Sequence, residues 1–136
     1  MDLEAVHGTI VVAEERAPVR DYVRGLLERA LPGVAQVSAC GRAAALDVLD
    51  SLATLAPSER GPVVLVMSGA AVSDGLGVAA HAWASRSSVS VVLLGDSTAE
   101  DRARARLFEA VLIEGPEGFA RLAHVVAGLL RPPTIH

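Results

Sequence analysis

The chain has 136 residues, enough for one domain whose hydrophobic core needs no disulfide or metal staple. Hydrophobic residues make up 51%, yet no apolar run reaches the roughly 18–20 residues of a membrane span, and no basic-then-apolar leader is expected at the start. A net charge of -4 with 3% aromatic residues argues against a broad electropositive surface and against a base-stacking platform, so direct nucleic-acid binding is not expected of this domain.

Residues 1–8 carry no periodic pattern and read as a lead-in. Thr9–Ala13 (TIVVA) has the continuous apolar character of a strand buried on both faces, and Glu14-Glu15 follow it directly. Pro18 suits a first helical turn, and Val19, Val23, Leu26, Leu27, Ala30 and Leu31 then recur at helical spacing until Pro32-Gly33. Val34–Ser38 alternates in the manner of an edge strand, and Arg42–Ala53 returns to a helical stripe. The central stretch is Pro62–Leu76 (PVVLVMSGAAVSDGL), in which a Val/Leu strand runs into a small-residue loop closing on Asp74-Gly75. A helix is expected over Leu76–Ser85 and a fourth strand over Ser88–Leu94, ending at Gly95-Asp96. Ser97 with Glu100 three residues on forms a capping-box pattern that should open a sparsely apolar helix over Thr98–Glu109. Ala110–Ile113 reads as a short fifth strand before Glu114-Gly115-Pro116. Phe119, Leu122, Val126 and Leu129 stripe a last helix, which Arg131-Pro132-Pro133 ends. The order βαβαβαβαβα predicts a single doubly wound α/β domain over residues 9–130, with residues 131–136 as a tail or the start of a linker.

At Ile10–Leu27 (IVVAEERAPVRDYVRGLL) the sequence resembles the opening of a response-regulator receiver (CheY-like) domain. It is closest to the receivers that precede helix-turn-helix outputs of the NarL/LuxR type. The strand, loop and Asp74-Gly75 repeat that family's spacing from phosphoacceptor to Asp-Gly turn. The resemblance implies a flavodoxin-like five-stranded parallel sheet in the order 2-1-3-4-5, with helices on both faces. It also implies phosphoryl transfer from a histidine kinase to an aspartate, with Mg²⁺, a lysine and a Ser/Thr hydroxyl around it. Position by position, this chain is similar only in part. Glu14 and Glu15 match the acidic pair, each longer by one methylene. Met67 falls on the acceptor position, and a thioether neither forms an acyl phosphate nor ligates Mg²⁺ well. Gly95 falls where the hydroxyl belongs. Glu114, or Gly115 in the neighbouring register, falls where the lysine belongs, and all 12 basic residues of the chain are arginine. The resemblance thus points to a degenerate pocket made of Glu14, Glu15, Met67, Gly95 and Glu114.

Blander readings stand beside these. Glu14-Glu15 can be two solvated carboxylates after a strand, mutually repulsive without a third acid. Asp96 could lend a substitute carboxylate at the same sheet edge. Met67 can simply pack the old pocket, or be oxidised. The lone Cys40 cannot form an internal disulfide and reads as inert in a reducing cytoplasm. His81 and His124 have no neighbour at metal-ligand spacing, and Trp83 reads as a core-edge or contact residue. Arg102, Arg104 and Arg106 are a solvated face supported by Glu100, Asp101 and Glu109, or a docking face for a partner. No nucleophile–base pair or phosphate-cradling loop appears, so neither enzymatic activity nor a cofactor or metal is expected. The expected function is a phosphorylation-independent pseudo-receiver in transcriptional signalling. It would bind a protein partner or itself through the fourth helix, fifth strand and fifth helix, and reach DNA only through a separate output domain. The alternatives are a small-ligand sensor built on the emptied pocket, or a receiver phosphorylated at a residue such as Asp74 or Asp96.

Overall fold

The computed structural model describes residues 8–55, 61–68, 72–85, 88–114 and 117–130, with the Ser73 side chain left aside. The expected tail and all of the lead-in except Gly8 lie outside these residues, as do the Ala56–Arg60 connection and Gly115-Pro116. Among these residues five strands, β1 (Thr9–Ala13), β2 (Ala35–Ala39), β3 (Val63–Ser68), β4 (Val89–Leu94) and β5 (Val111–Ile113), alternate with five helices. The helices are α1 (Ala17–Ala30), α2 (Arg42–Ala53), α3 (Val72–Ala84), α4 (Ala99–Leu107) and α5 (Gly118–Leu130). The sheet order is β2-β1-β3-β4-β5 and every pairing is parallel.

Alternation along the strands divides the core in two. Ile10, Val12, Val64, Val66, Val92, Leu94 and Ile113 face α1 and α5, where Val23, Leu27, Leu122, Val126 and Leu130 meet them. Val11, Ala13, Val63, Leu65, Met67, Val91 and Leu93 face α2, α3 and α4. Both faces of β3 are covered, which is why its sequence reads as an unbroken apolar run. Full burial of each such Val or Leu contributes about 1.5–3 kcal/mol, so the two layers dominate the stability.

The helix boundaries hold two corrections. α3 begins at Val72, four residues before the expected Leu76, so Asp74 and Gly75 lie in its first turns and not in a loop ahead of it. A Cβ on Gly75 would sit 2.4 Å from Leu93 Cδ2, so the missing side chain is what lets α3 lie close on β4. The capping box of α4 uses Thr98 and Asp101, one residue beyond the expected Ser97 and Glu100. The Asp101 N–H donates to Thr98 Oγ1 at 3.1 Å, and the Thr98 N–H donates to Asp101 Oδ2 at 3.0 Å. Ser97 is left free for another partner, described below.

Candidate functional site at the carboxyl edge of the sheet

β1, β3 and β4 deliver their carboxyl ends to one edge, with Ala13, Met67 and Leu93 side by side in register. Open α/β sheets place their ligand sites at this edge. A cleft of about 260 Å³ lies there, bordered by Glu14, Glu15, Arg16, Arg42, Met67 and Asp74 among others. Gly95 and Glu114 are not part of its lining.

Glu14 departs most from the solvated reading of the acidic pair. It is 3% exposed, and its carboxylate is saturated by neighbours from its own chain. Arg16 donates to it through Nη2 at 2.8 Å, through the backbone N–H at 3.0 Å and through Nε at 3.4 Å, while Ser68 Oγ donates at 3.0 Å. Arg20 Nη1 adds a bond to the Glu14 carbonyl oxygen at 2.9 Å, and the Glu14 N–H donates to Ala39 O. Burial, the largest single influence, acts to raise the Glu14 pKa. The Arg16 bonds, the Ser68 bond and the Arg16 charge together outweigh it, so the carboxyl is held below its ordinary value and ionised. Glu15 is exposed and its side chain lies over Gly41, where a Cβ would sit 2.9 Å from Glu15 Cγ. Gly41 also has φ +103°, a conformation that L side chains rarely adopt.

Met67 is 8% exposed, packed in the core layer under α2 and α3 with one side toward the cleft. Asp74 borders the cleft from α3 and is exposed, as is Asp96 beyond β4. A Mg²⁺ ion of the kind receivers use needs several oxygen ligands in near-octahedral array. The residues present do not fit it. The buried carboxylate already carries a guanidinium counter-ion, Met67 offers the cleft only a thioether, and no three His, Cys, Asp or Glu cluster at ligand distance among the described residues.

The far side of the edge holds a second group. Glu114, just past β5, turns toward the β4–α4 connection and accepts from the Ser97 N–H at 3.0 Å and from Ser97 Oγ. Arg102 Nη1 lies 3.5 Å from the same carboxylate and donates to Ser97 O at 3.2 Å. The Ser97 hydroxyl is the chief cause holding the Glu114 carboxyl below its ordinary value, with the Ser97 N–H and Arg102 adding to it. Arg102 is thus engaged by Glu114 and not by the acids of its own helix. Arg104 and Arg106 are exposed and form no ion pair among the described residues. Gly95 has φ +153° and its N–H donates to Ile113 O at 3.2 Å. Cys40 is exposed, Trp83 is 49% exposed, and His81 Nε2 lies 3.3 Å from Asp50 Oδ1. Sequence reasoning missed Arg16 and Ser68. The signal was present for Arg16, a basic residue two positions after a buried-strand acid.

No protein-family model and no curated protein matches the chain. Solved structures do. The signal receiver domain of a DNA-binding response regulator protein (merR) from Colwellia psychrerythraea 34H aligns with a TM-score of 0.68 at 20% identity, covering 90% of this chain and 97% of that one. The signal receiver domain of NarL from Mycobacterium tuberculosis gives 0.66 at 19% identity, covering 92% and 95%. The Vibrio cholerae chemotaxis protein CheY4 gives 0.63 at 13% identity, covering 91% and 99%. With its five parallel strands in the order 2-1-3-4-5, the chain therefore has the fold of the response-regulator receiver domains, over nearly their whole length.

Proposed function

We propose that the chain is a pseudo-receiver, a signalling domain that works in the cytoplasm without catalysis and without aspartyl phosphorylation, through contacts with a protein partner or a second copy. The observation that carries this reading is that Met67, on the acceptor position, shares its cleft with a Glu14 carboxylate already neutralised by Arg16 and hydrogen-bonded by Ser68. A phosphoryl group arriving there would meet no oxygen nucleophile on β3 other than the Ser68 hydroxyl, which is donated to Glu14. The docking face is α4, β5 and α5, where Arg104 and Arg106 project to solvent from a helix that buries only Ala105. Control of transcription would follow through a separate DNA-binding output.

The test is incubation with acetyl phosphate and Mg²⁺ followed by intact mass. An unchanged mass is expected. A gain of one phosphoryl group, mapped to Asp74 or Asp96, would replace this reading with phosphorylation at a non-standard residue. Light scattering of Arg104→Glu tests the face: self-association should weaken, and an unchanged mass removes this arginine from it. A second reading, a small-ligand sensor, is favoured by the open cleft of about 260 Å³ beside Met67, which the side chains have not filled.

A further inference from the structure

A second and larger cavity, of about 710 Å³, opens at the opposite, amino edge of the sheet between the end of α3, the start of β4 and the end of α4. It exists because α4 stops at Leu107 and because α3 presents the small residues Ala79 and Ala82 toward it. Trp83, Phe108 and Val89 supply apolar and aromatic wall, and among the described residues Glu109 is the only charged one of the lining. The volume is in the range of a small-molecule site, and the lining is divided about evenly between apolar and polar surface, with Ser88 and Ser90 beside the two aromatic rings.

The backbone at Glu109 gives a second, independent observation. The end of α4 closes with the Ala110 N–H donating to Ala105 O at 2.8 Å and the Glu109 N–H to Arg106 O at 3.2 Å. That closure requires a left-handed residue at position 109, a place glycine fills without strain. Glu109 adopts it with φ +56°, the one non-glycine with positive φ among the described residues. A strained conformation thus sets a carboxylate on the rim of an aromatic cavity.

We propose that this cavity binds a small organic cation, an arylalkylammonium or a compound like it. Its apolar body would lie between Trp83 and Phe108, and its ammonium would be shared between the Trp83 ring face and the Glu109 carboxylate. Cation–π attraction is strongest for tryptophan, and the carboxylate adds charge complementarity on one side only. This inference does not depend on the state of the Glu14 cleft, which lies at the other edge of the sheet.

Trp83 is the only tryptophan of the chain, so its emission reports on the site directly. Phenethylammonium is titrated against the intact protein, with 3-phenylpropionate as a size-matched anion. The ammonium should quench Trp83 saturably with a dissociation constant of about 1 mM, and the anion should not. Glu109→Gly should raise the thermal midpoint, because it relieves the backbone, while weakening the ammonium about two- to fivefold. That divergence separates a binding role for Glu109 from a structural one. Equal quenching by both probes, no saturation below about 10 mM, or unchanged affinity in Glu109→Gly overturns the proposal. So does Trp83 emission that changes with protein concentration alone, which would give the cavity to a second copy.

Discussion

The carboxyl edge carries the same trio of residue types twice: Glu14 with Arg16 and Ser68 on the β1/β3 side, and Glu114 with Arg102 and Ser97 on the β4/β5 side. Each has a serine hydroxyl on the carboxylate, a backbone N–H beside it and an arginine close by. Burial separates them. The Glu14 side chain is 2% exposed and that of Glu114 is 39% exposed. In the first trio every donor replaces lost water, so removing one leaves a buried charge short of partners. In the second, water stands ready to substitute, and the same contacts contribute little. Identical chemistry makes one group a structural clamp and the other a surface tether between β5 and the start of α4.

Substitutions should break this comparison in a definite order. Met67→Asp puts a second carboxylate beside Glu14 and removes core packing, and should cost about 3 kcal/mol by urea denaturation. Mg²⁺ should not recover that loss while Arg16 is present, but should recover part of it in the double variant Met67→Asp/Arg16→Ala. Next comes Glu14→Ala, which leaves Ser68 and the Arg16 N–H without their acceptor and should cost about 1–3 kcal/mol. Glu114→Gln should move the thermal midpoint least, and added salt should shrink even that shift.

Acid sharpens the same contrast. The folded-state pKa of Glu14 lies below the ordinary value of 4.5, so its contribution is complete above that value and is lost as pH falls through the depressed one. Thermal midpoints measured from pH 6 downward should fall for the wild type and flatten for Glu14→Gln. Glu114→Gln should flatten the slope less, since its carboxyl, although also held below the ordinary value, is well exposed and its contacts are screened by water.

The sheet and its order were legible because periodicity reports burial. The apolar runs of β1, β3 and β4 and the alternation near β2 mark central and edge positions, and the α2 bounds Arg42–Ala53 match the expected ones. What sequence could not give was the choice between equivalent partners. Ser97-Thr98 offers two hydroxyls, and Glu100-Asp101 two acids, to the same capping pattern. The register fell to Thr98 and Asp101 because Ser97 is taken by Glu114, which is 17 residues away. Glu14 and Glu15 are likewise indistinguishable as letters. One turns in to meet Ser68, 54 positions along the chain, and the other stays in solvent over Gly41. Local rules carry no record of such distant contacts. Arg16 lies within two residues of Glu14, yet its role follows only once the carboxylate is known to be buried.

Helix α3 has a part in both cavities. Its first turns give Val72, Asp74 and Gly75 to the cleft beside Met67, and its last gives Ala79, Ala82 and Trp83 to the aromatic one. Its 13 residues span about 20 Å at 1.5 Å per residue. Gly75 seats it against Leu93 near its first turn. If an occupant at one end shifts this rod, linkage requires that each occupant change the other's affinity by the same factor.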